Sequence, residues 1–447
     1  AHLMRTDSLL SSTQSSPTRP VLLLLDRNTD LTPMLQHPWT YQPLVHDLMR
    51  MKKNRVRFQL DGEEGAPPEQ KTYDLDNDDD FWVANAANPF TDVVVEIQER
   101  VTEYRKAREE VMAMKLSDPN GEVEVPGTSA LVGKTKDLGS FMNRMPELTQ
   151  KKKVLDMHTN IATALMKGIN ERNIAKLFEV EQQLILRGYS SSAASEVQRL
   201  LTDKEENCGS FVDKLRLYLI YFLTNHELEK AEEEELESIL KAFRDIEASQ
   251  DPPEEGFSAA IFGSGKKTSA PYVPDLACLG HFKKMKKFAN PMSSAAASSG
   301  VYALNSNSSV PTSSSRFASI TSFGTGILGT GIRDILSAGV SYVQTSSKNL
   351  HVTQLVDAVV FHKKNSQVST FLSLDPKQTN KNGASASRTT PYSECLVFIV
   401  GGGNYVEYEN IVHYGKESGR RIIYGTTEML SPEDFLKQVE VIGKKMT

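Results

Sequence analysis

Two short apolar runs at opposite ends of the chain constrain its fold more than anything between them. Val21–Leu25 reads VLLLL, and Leu396–Val400 reads LVFIV. Each breaks directly into a turn, Asp26-Arg27-Asn28-Thr29-Asp30 after the first and Gly401-Gly402-Gly403-Asn404 after the second. A strand that is apolar at every position offers no face to water, so both runs belong in a parallel sheet covered by helices. Residues 421–424 supply a third such strand. Three strands are few for a sheet of this kind, so more of the domain is expected to lie N-terminal to this chain. The predicted class is α/β with a large, mainly helical insertion: a partial parallel sheet flanked by helices, plus a projecting helical hairpin. Residues 18–45 and 391–447 are assigned to the α/β domain and 46–390 to the inserted helix-rich domain.

Within the insertion, Pro38-Trp39-Thr40-Tyr41-Gln42-Pro43 opens a helix through Leu44, Val45, Leu48 and Met49. The acidic segment 61–80 reads as a solvated loop with room for one edge strand. From Asp92 a helix carries Val94, Ile97, Val101, Tyr104 and Val111 at 3-4 spacing, interrupted at Arg108. It stops at Ser117-Asp118-Pro119-Asn120-Gly121. A second seam follows through Leu138, Phe141, Met145, Leu148, Leu155, Ala162, Met166 and Ile169. Two long helices joined by a turn make an αα-hairpin over 91–172, which projects if its ends are anchored. Pro146 removes a backbone donor from the second helix and predicts a kink or break there. Residues 172–247 form further amphipathic helices, with the Glu-rich run 228–236 as a solvated surface. A linker spans 250–273, helix returns at 274–288, and the Ser/Ala/Asn-rich stretch 291–315 begins a flexible loop extending to 345.

The residues assemble no catalytic centre. The net charge of −6 carries no general nucleic-acid footprint. Cys208, Cys278 and Cys395 lie far apart without metal-ligand spacing, so neither a metal site nor a disulfide framework is expected. No run of about 18 apolar residues is present to span a bilayer, and the first residues lack a signal-peptide pattern. Gly133-Lys134-Thr135 and Gly263-Ser264-Gly265-Lys266-Lys267 resemble pieces of phosphate-binding loops but fail in spacing or context. Gly324-Thr325-Gly326-Ile327-Leu328-Gly329 follows no strand. Asp26 with Asp30, and the triple glycine 401–403, read as turn chemistry. No cofactor and no enzymatic activity are expected. A nucleotide-dependent switch built on these two turns is a rival class, and a coat or tethering scaffold is another.

Segment 316–343 places Phe317, Ile320, Phe323, Ile327, Ile335 and Val340 on one helical face opposite Ser, Thr and Gly. So glycine-rich a helix needs a surface on which to fold. The protein itself and a membrane both qualify. The cluster Lys283, Lys284, Lys286 and Lys287 would add attraction to anionic lipid, or form a solvated helix face.

The blocks RPVLLLLDRNTDLTPMLQHPWTYQPLVHDLM (19–49), DLDNDDDFW (74–82), CLVFIVGGGNYVEYENIVHY (395–414) and RRIIYGTTEMLSPEDFLKQV (420–439) together resemble the Sec/Munc (SM) family of SNARE-binding factors. GGGNYVEY with PDLACLGHFKKMKKF (274–288) is most similar to the Sly-type branch, which acts between ER and Golgi. The resemblance implies a non-enzymatic regulator that templates SNARE assembly for ER-to-Golgi and intra-Golgi fusion. It implies R- and Q-SNAREs as partners, a Golgi syntaxin among them, with vesicle tethers as further candidates. It places the protein in the cytoplasm, peripherally on ER and Golgi membranes. The positions matching the family's SNARE-holding helix are Phe141, Met145, Pro146, Leu148 and Leu155, which could equally pack the two hairpin helices together. The loop 291–345 resembles a regulatory lid able to touch membrane. The family's N-terminal domain, with its pocket for a syntaxin N-peptide, has no counterpart among these residues.

Overall fold

A computed structural model describes residues 20–60, 69–116, 129–203, 208–225, 228–249, 272–286, 349–365, 367–374 and 391–445. Within its helices the side chains of 113–116, 129–143 and 186–187 are not described. In chain order the elements are β1 (Val21–Asp26), α1 (Tyr41–Leu48), β2 (Arg55–Leu60), β3 (Glu69–Asp74) and α2 (Asp80–Asn85). Then come α3 (Phe90–Leu116), α4 (Ser129–Glu171), α5 (Ile174–Arg187), α6 (Ser191–Thr202), α7 (Phe211–Thr224) and α8 (Lys230–Ser249). A helix α9 at 278–286 and α10 (His351–Val360) precede β4 (Glu394–Val400), α11 (Tyr405–Ser418), β5 (Arg421–Thr426) and α12 (Pro432–Lys444). The architecture is mostly helical around one small parallel sheet.

The two apolar runs at the ends of the chain pair directly. β1 lies parallel to β4 with Val21 opposite Cys395, and β4 lies parallel to β5, giving the order β1-β4-β5. Leu23, Leu25, Cys395, Val397 and Ile399 point inward, where Val352, Leu355 and Val356 of α10 and Ile411 and Tyr414 of α11 bury them. The segment packed on the sheet therefore begins upstream of residue 391. The opposite face departs from the expectation of helices on both sides. Leu22 and Leu24 are 62% and 63% exposed, and Leu396, Val400 and Ile423 beside them are also open. Both helices packed on the sheet lie on one side, which leaves these side chains uncovered among the described residues.

Segment 61–80 carries one strand, β3, as expected, but its partner β2 lies just upstream, where no strand was expected. β2 and β3 form an antiparallel pair, because Val56 and Phe58 alternate with arginines and so bury one face. The Glu-rich run is less solvated than expected. Tyr221 and Tyr218 donate to Glu232 and Glu237 at 2.7 and 3.0 Å, and Lys283 bridges Glu233 and Glu237. Lys286 caps the Asn225 carbonyl at 2.7 Å over the Phe222 ring. Two of the four lysines, read from the sequence as either lipid-attracting or a solvated helix face, thus serve to dock α9 on α7 and α8.

The connection from sheet to helices runs through residues 31–40, and buried charges fix it. His37 donates its backbone N–H to Glu181 on α5 at 2.7 Å. Its Nδ1 meets the other Glu181 oxygen at 2.7 Å, and its Nε2 meets Asp213 on α7 at 3.1 Å. Arg216 donates to the carbonyls of Leu35 and Gln36 at 2.6 and 2.9 Å and to Asp47 of α1 at 2.8 Å. Arg172 donates to Asp213 at 3.0 Å. Both His37 nitrogens face carboxylates, so both must donate, and the ring is an imidazolium. Asp47, Glu181 and Asp213 are then balanced by Arg172, Arg216 and His37. Burial and the Arg216 charge pull the His37 pKa down, but Glu181 and Asp213 outweigh them and raise it. Burial would raise Asp213, yet Arg172 and His37 hold it well below the usual carboxylate range.

Two outcomes follow. His37, with its pKa raised on folding, contributes fully below its unfolded value of 6.5, and the contribution fades as pH rises through the folded value. His37→Gln should lower unfolding free energy by about 3–5 kcal/mol near pH 6, with the deficit shrinking toward pH 9 in denaturant titrations. A deficit independent of pH would contradict the imidazolium. Replacing Leu24 and Ile423 together by Ser should reduce dye binding and self-association of the 447-residue chain with little change in melting temperature. Unchanged dye binding would mean the face is not open.

Candidate partner-binding cleft of the helical hairpin

The base of the hairpin is built by α2 and a buried polar relay. Tyr41 at the start of α1 is 2.8 Å from His158 Nδ1, and His158 Nε2 is 2.8 Å from Asp79. The other Asp79 oxygen accepts from the N–H groups of Phe81 and Trp82, capping α2. Phe81 packs on the His158 ring at 4.3 Å while Arg100 of α3 lies over its far side at 5.0 Å. Both hairpin helices therefore grip α2, as the block around residues 74–82 is wedged between them. The triad resembles a catalytic relay in composition only. Tyr41 and His158 are fully buried, closed off from any substrate in solution.

Further out, α3 and α4 run side by side and leave a cleft on one surface. Val111 and Leu148 form its floor, 1% and 9% exposed. Tyr104, Arg108 and Met112 descend one wall at helical spacing, and Met145, Thr149 and Lys152 form the other. The two methionines are 39% and 36% exposed, an unusual position for flexible, polarisable side chains unless they meet a partner. α4 passes through Pro146 as one continuous helix instead of breaking. Pro146 is on the exposed surface, where the missing N–H costs one helical bond, and the Thr149 hydroxyl donates back to the Met145 carbonyl at 2.8 Å.

Of the hairpin residues singled out in the sequence, Met145 and Leu148 come together in this cleft, and Pro146 lies beside it. Leu155 is 7% exposed and packs the hairpin. The Phe141 side chain is outside the described residues, as are Phe317, Ile320, Phe323, Ile327, Ile335 and Val340. The seam reading missed Met112 and Lys152. Arg108, read as an interruption of the seam, is the residue that makes one wall cationic.

The turns at the sheet's carboxyl edge are filled by the protein itself. The N–H groups of Gly401 and Gly402 donate to Thr427 Oγ1 at 3.3 and 3.0 Å, and that of Gly403 to the Glu428 carbonyl at 2.9 Å. Gly401 and Gly402 have φ of +102° and +94°, and added β-carbons at 401, 402 and 403 would strike Arg27, Leu430 and Tyr424. Arg27 is buried against Glu407 at 2.7 and 2.9 Å, and Tyr424 donates to the same carboxylate at 2.8 Å. The amides that a phosphate would need are already bonded. Burial pulls the Arg27 pKa down, but the hydrogen bond and charge of Glu407 outweigh it and hold the guanidinium above its ordinary value.

If the relay holds the hairpin base, Asp79→Ala should cost about 2 kcal/mol by removing the α2 cap and the His158 partner. Amide exchange should quicken along α4 around His158, and unchanged exchange there would contradict the role.

A family model described as the Sec1 family matches residues 1–438. Sec1 family domain-containing protein 1 of Homo sapiens is 32% identical over 451 residues, covering 98% of this chain and 62% of that protein. Protein sly1 of Schizosaccharomyces pombe is 31% identical over 448 residues, covering 98% and 63%. Among solved structures, Sly1p in complex with an N-terminal peptide of Sed5p aligns with a TM-score of 0.65 at 23% identity, over 100% of this chain and 61% of that one. Vps45 in complex with the Qa SNARE Tlg2 aligns at 0.63 and 20%, over 99% and 64%. The chain thus spans somewhat over three-fifths of the relatives it matches. With the family match running along nearly its whole length and the same fold beneath it, this chain belongs to the Sec1 family.

Proposed function

We propose that this chain is the SNARE-handling part of an SM-type regulator of the Sly branch, serving ER-to-Golgi and intra-Golgi fusion without catalysis. The observation that carries the reading is the cleft between α3 and α4. It has an apolar floor of Val111 and Leu148, one from each helix, and two exposed methionines, on a hairpin whose base is held by the Tyr41–His158–Asp79 relay. A SNARE motif is disordered alone and forms an amphipathic helix with apolar residues at 3-4 spacing. Such a helix laid in the cleft would add a third strand of knobs to the two-helix seam. Holding one R-SNARE there while a Q-SNARE of the syntaxin type is bound nearby lowers the ordering cost of zippering, because the segments are already in register. Vps45 solved with a Qa SNARE supports partners of this class.

Peripheral attachment to ER and Golgi membranes is part of the reading. Its sequence support is segment 316–343, while no described helix is long and apolar enough to cross a bilayer. Vesicle tethers are further partners of such a regulator. The nucleotide-switch alternative loses its ground at the Gly401–Gly403 turn, whose amides are bonded internally.

Capture of individual SNARE motifs by the 447-residue chain tests the assignment. Met112→Asp with Met145→Asp should weaken capture of an R-SNARE motif by about thirtyfold, corresponding to a hot-spot loss of about 2 kcal/mol. Both positions are exposed, so circular dichroism should be unchanged. Full capture by the folded double variant would place the SNARE site elsewhere.

A further inference from the structure

The cations of the hairpin are not equivalent. Arg144 reaches Glu110 at 3.9 Å, and Lys151 pairs with Glu147 at 2.8 Å, both within the arm. Arg108 and Lys152, one from each wall of the cleft, are exposed and meet no carboxylate among the described residues. An apolar floor between two cations without a carboxylate among the described residues is a recognisable chemistry. A neutral helix would partly desolvate both charges without compensation, and a cationic helix would add repulsion. Carboxylates bordering the apolar stripe would remove both penalties.

Resting on the proposed reading of the cleft as a helix-binding site, we infer that it selects among amphipathic helices by charge. Its occupant carries acidic residues on both flanks of the apolar stripe, paired with Arg108 and Lys152. The shape favours a helix over a lipid surface. The floor residues Val111 and Leu148 are buried at the bottom of the cleft between two helices, which suits side-chain knobs, whereas a bilayer engages protruding side chains. The positions also explain why the apolar seam is interrupted at Arg108: a leucine there would deepen the groove but remove its discrimination.

The test uses the whole 447-residue chain and two helical peptides with one common Leu/Ile stripe, flanked by Glu in one and by Lys in the other. Fluorescence anisotropy should show the Glu-flanked peptide binding the native protein about tenfold tighter or more, a difference that narrows with salt. In the double variant Arg108→Glu with Lys152→Glu the order should reverse. These positions are exposed and the fold should be retained by circular dichroism. An unchanged order in the folded double variant overturns the inference, as does equal binding of the two peptides by the native chain. Binding that appears only to phosphatidylserine vesicles, and is lost in the double variant, overturns it in favour of a lipid surface. R-SNARE capture that is lost in Met112→Asp with Met145→Asp but survives the charge reversal removes the charge selection and leaves the SNARE-handling role standing. Loss of neither removes the cleft from that role as well.

Discussion

The imidazolium of His37, held between Glu181 and Asp213 and surrounded by Arg172, Arg216 and Asp47, is the interaction on which the arrangement of this molecule depends. The segment carrying it is the short bridge between the sheet and the helical mass. Ion pairs so deeply buried add little net stability over an apolar alternative, but removing one partner is costly. They also demand one geometry: a shift of the bridge would strand several charges away from water. Apolar packing, such as Trp39 stacked on Phe178 at 5.5 Å, adds adhesion beside this network without the same directional demand.

From that anchor the architecture follows outward. The relay of Tyr41, His158 and Asp79 begins four residues beyond His37 and clamps the base of the α3/α4 hairpin. On the other side, Arg27 with Glu407 and Tyr424 closes the carboxyl edge of the sheet. The sheet and the arm are thereby fixed to one another through residues 27–41. A rigid arm is what a helix-aligning role requires, since a template that bends with its client cannot reduce the client's ordering cost.

Much of the frame was legible in the sequence. The apolar runs at 21–25 and 396–400 do pair as parallel strands, and the 3-4 spacing after Asp92 does mark the first hairpin helix. What escaped reading was relational. Nothing local distinguishes Leu22 and Leu24, which are exposed, from Leu23 and Leu25, which are buried, because coverage depends on which side α10 and α11 lie. The β2 strand was lost among arginines whose alternation with Val56 and Phe58 spans only a few residues. The lysines at 283 and 286 read as free charge until α8 supplies carboxylates and α7 a carbonyl. At the cleft, Met145 and Leu148 were visible as a seam, but Arg108 and Lys152 gain meaning only when two helices bring them to facing walls. The polar clasp of His37 had no motif at all, since its two partners, Glu181 and Asp213, come from two distant helices.

Hydrogen–deuterium exchange of the whole chain with and without a saturating SNARE motif tests the central claim most directly. The account predicts new protection concentrated on α3 around 104–112 and α4 around 145–152, with the sheet strands 21–26 and 394–400 unchanged. Protection confined to the sheet, or to the turns at its carboxyl edge, would contradict it.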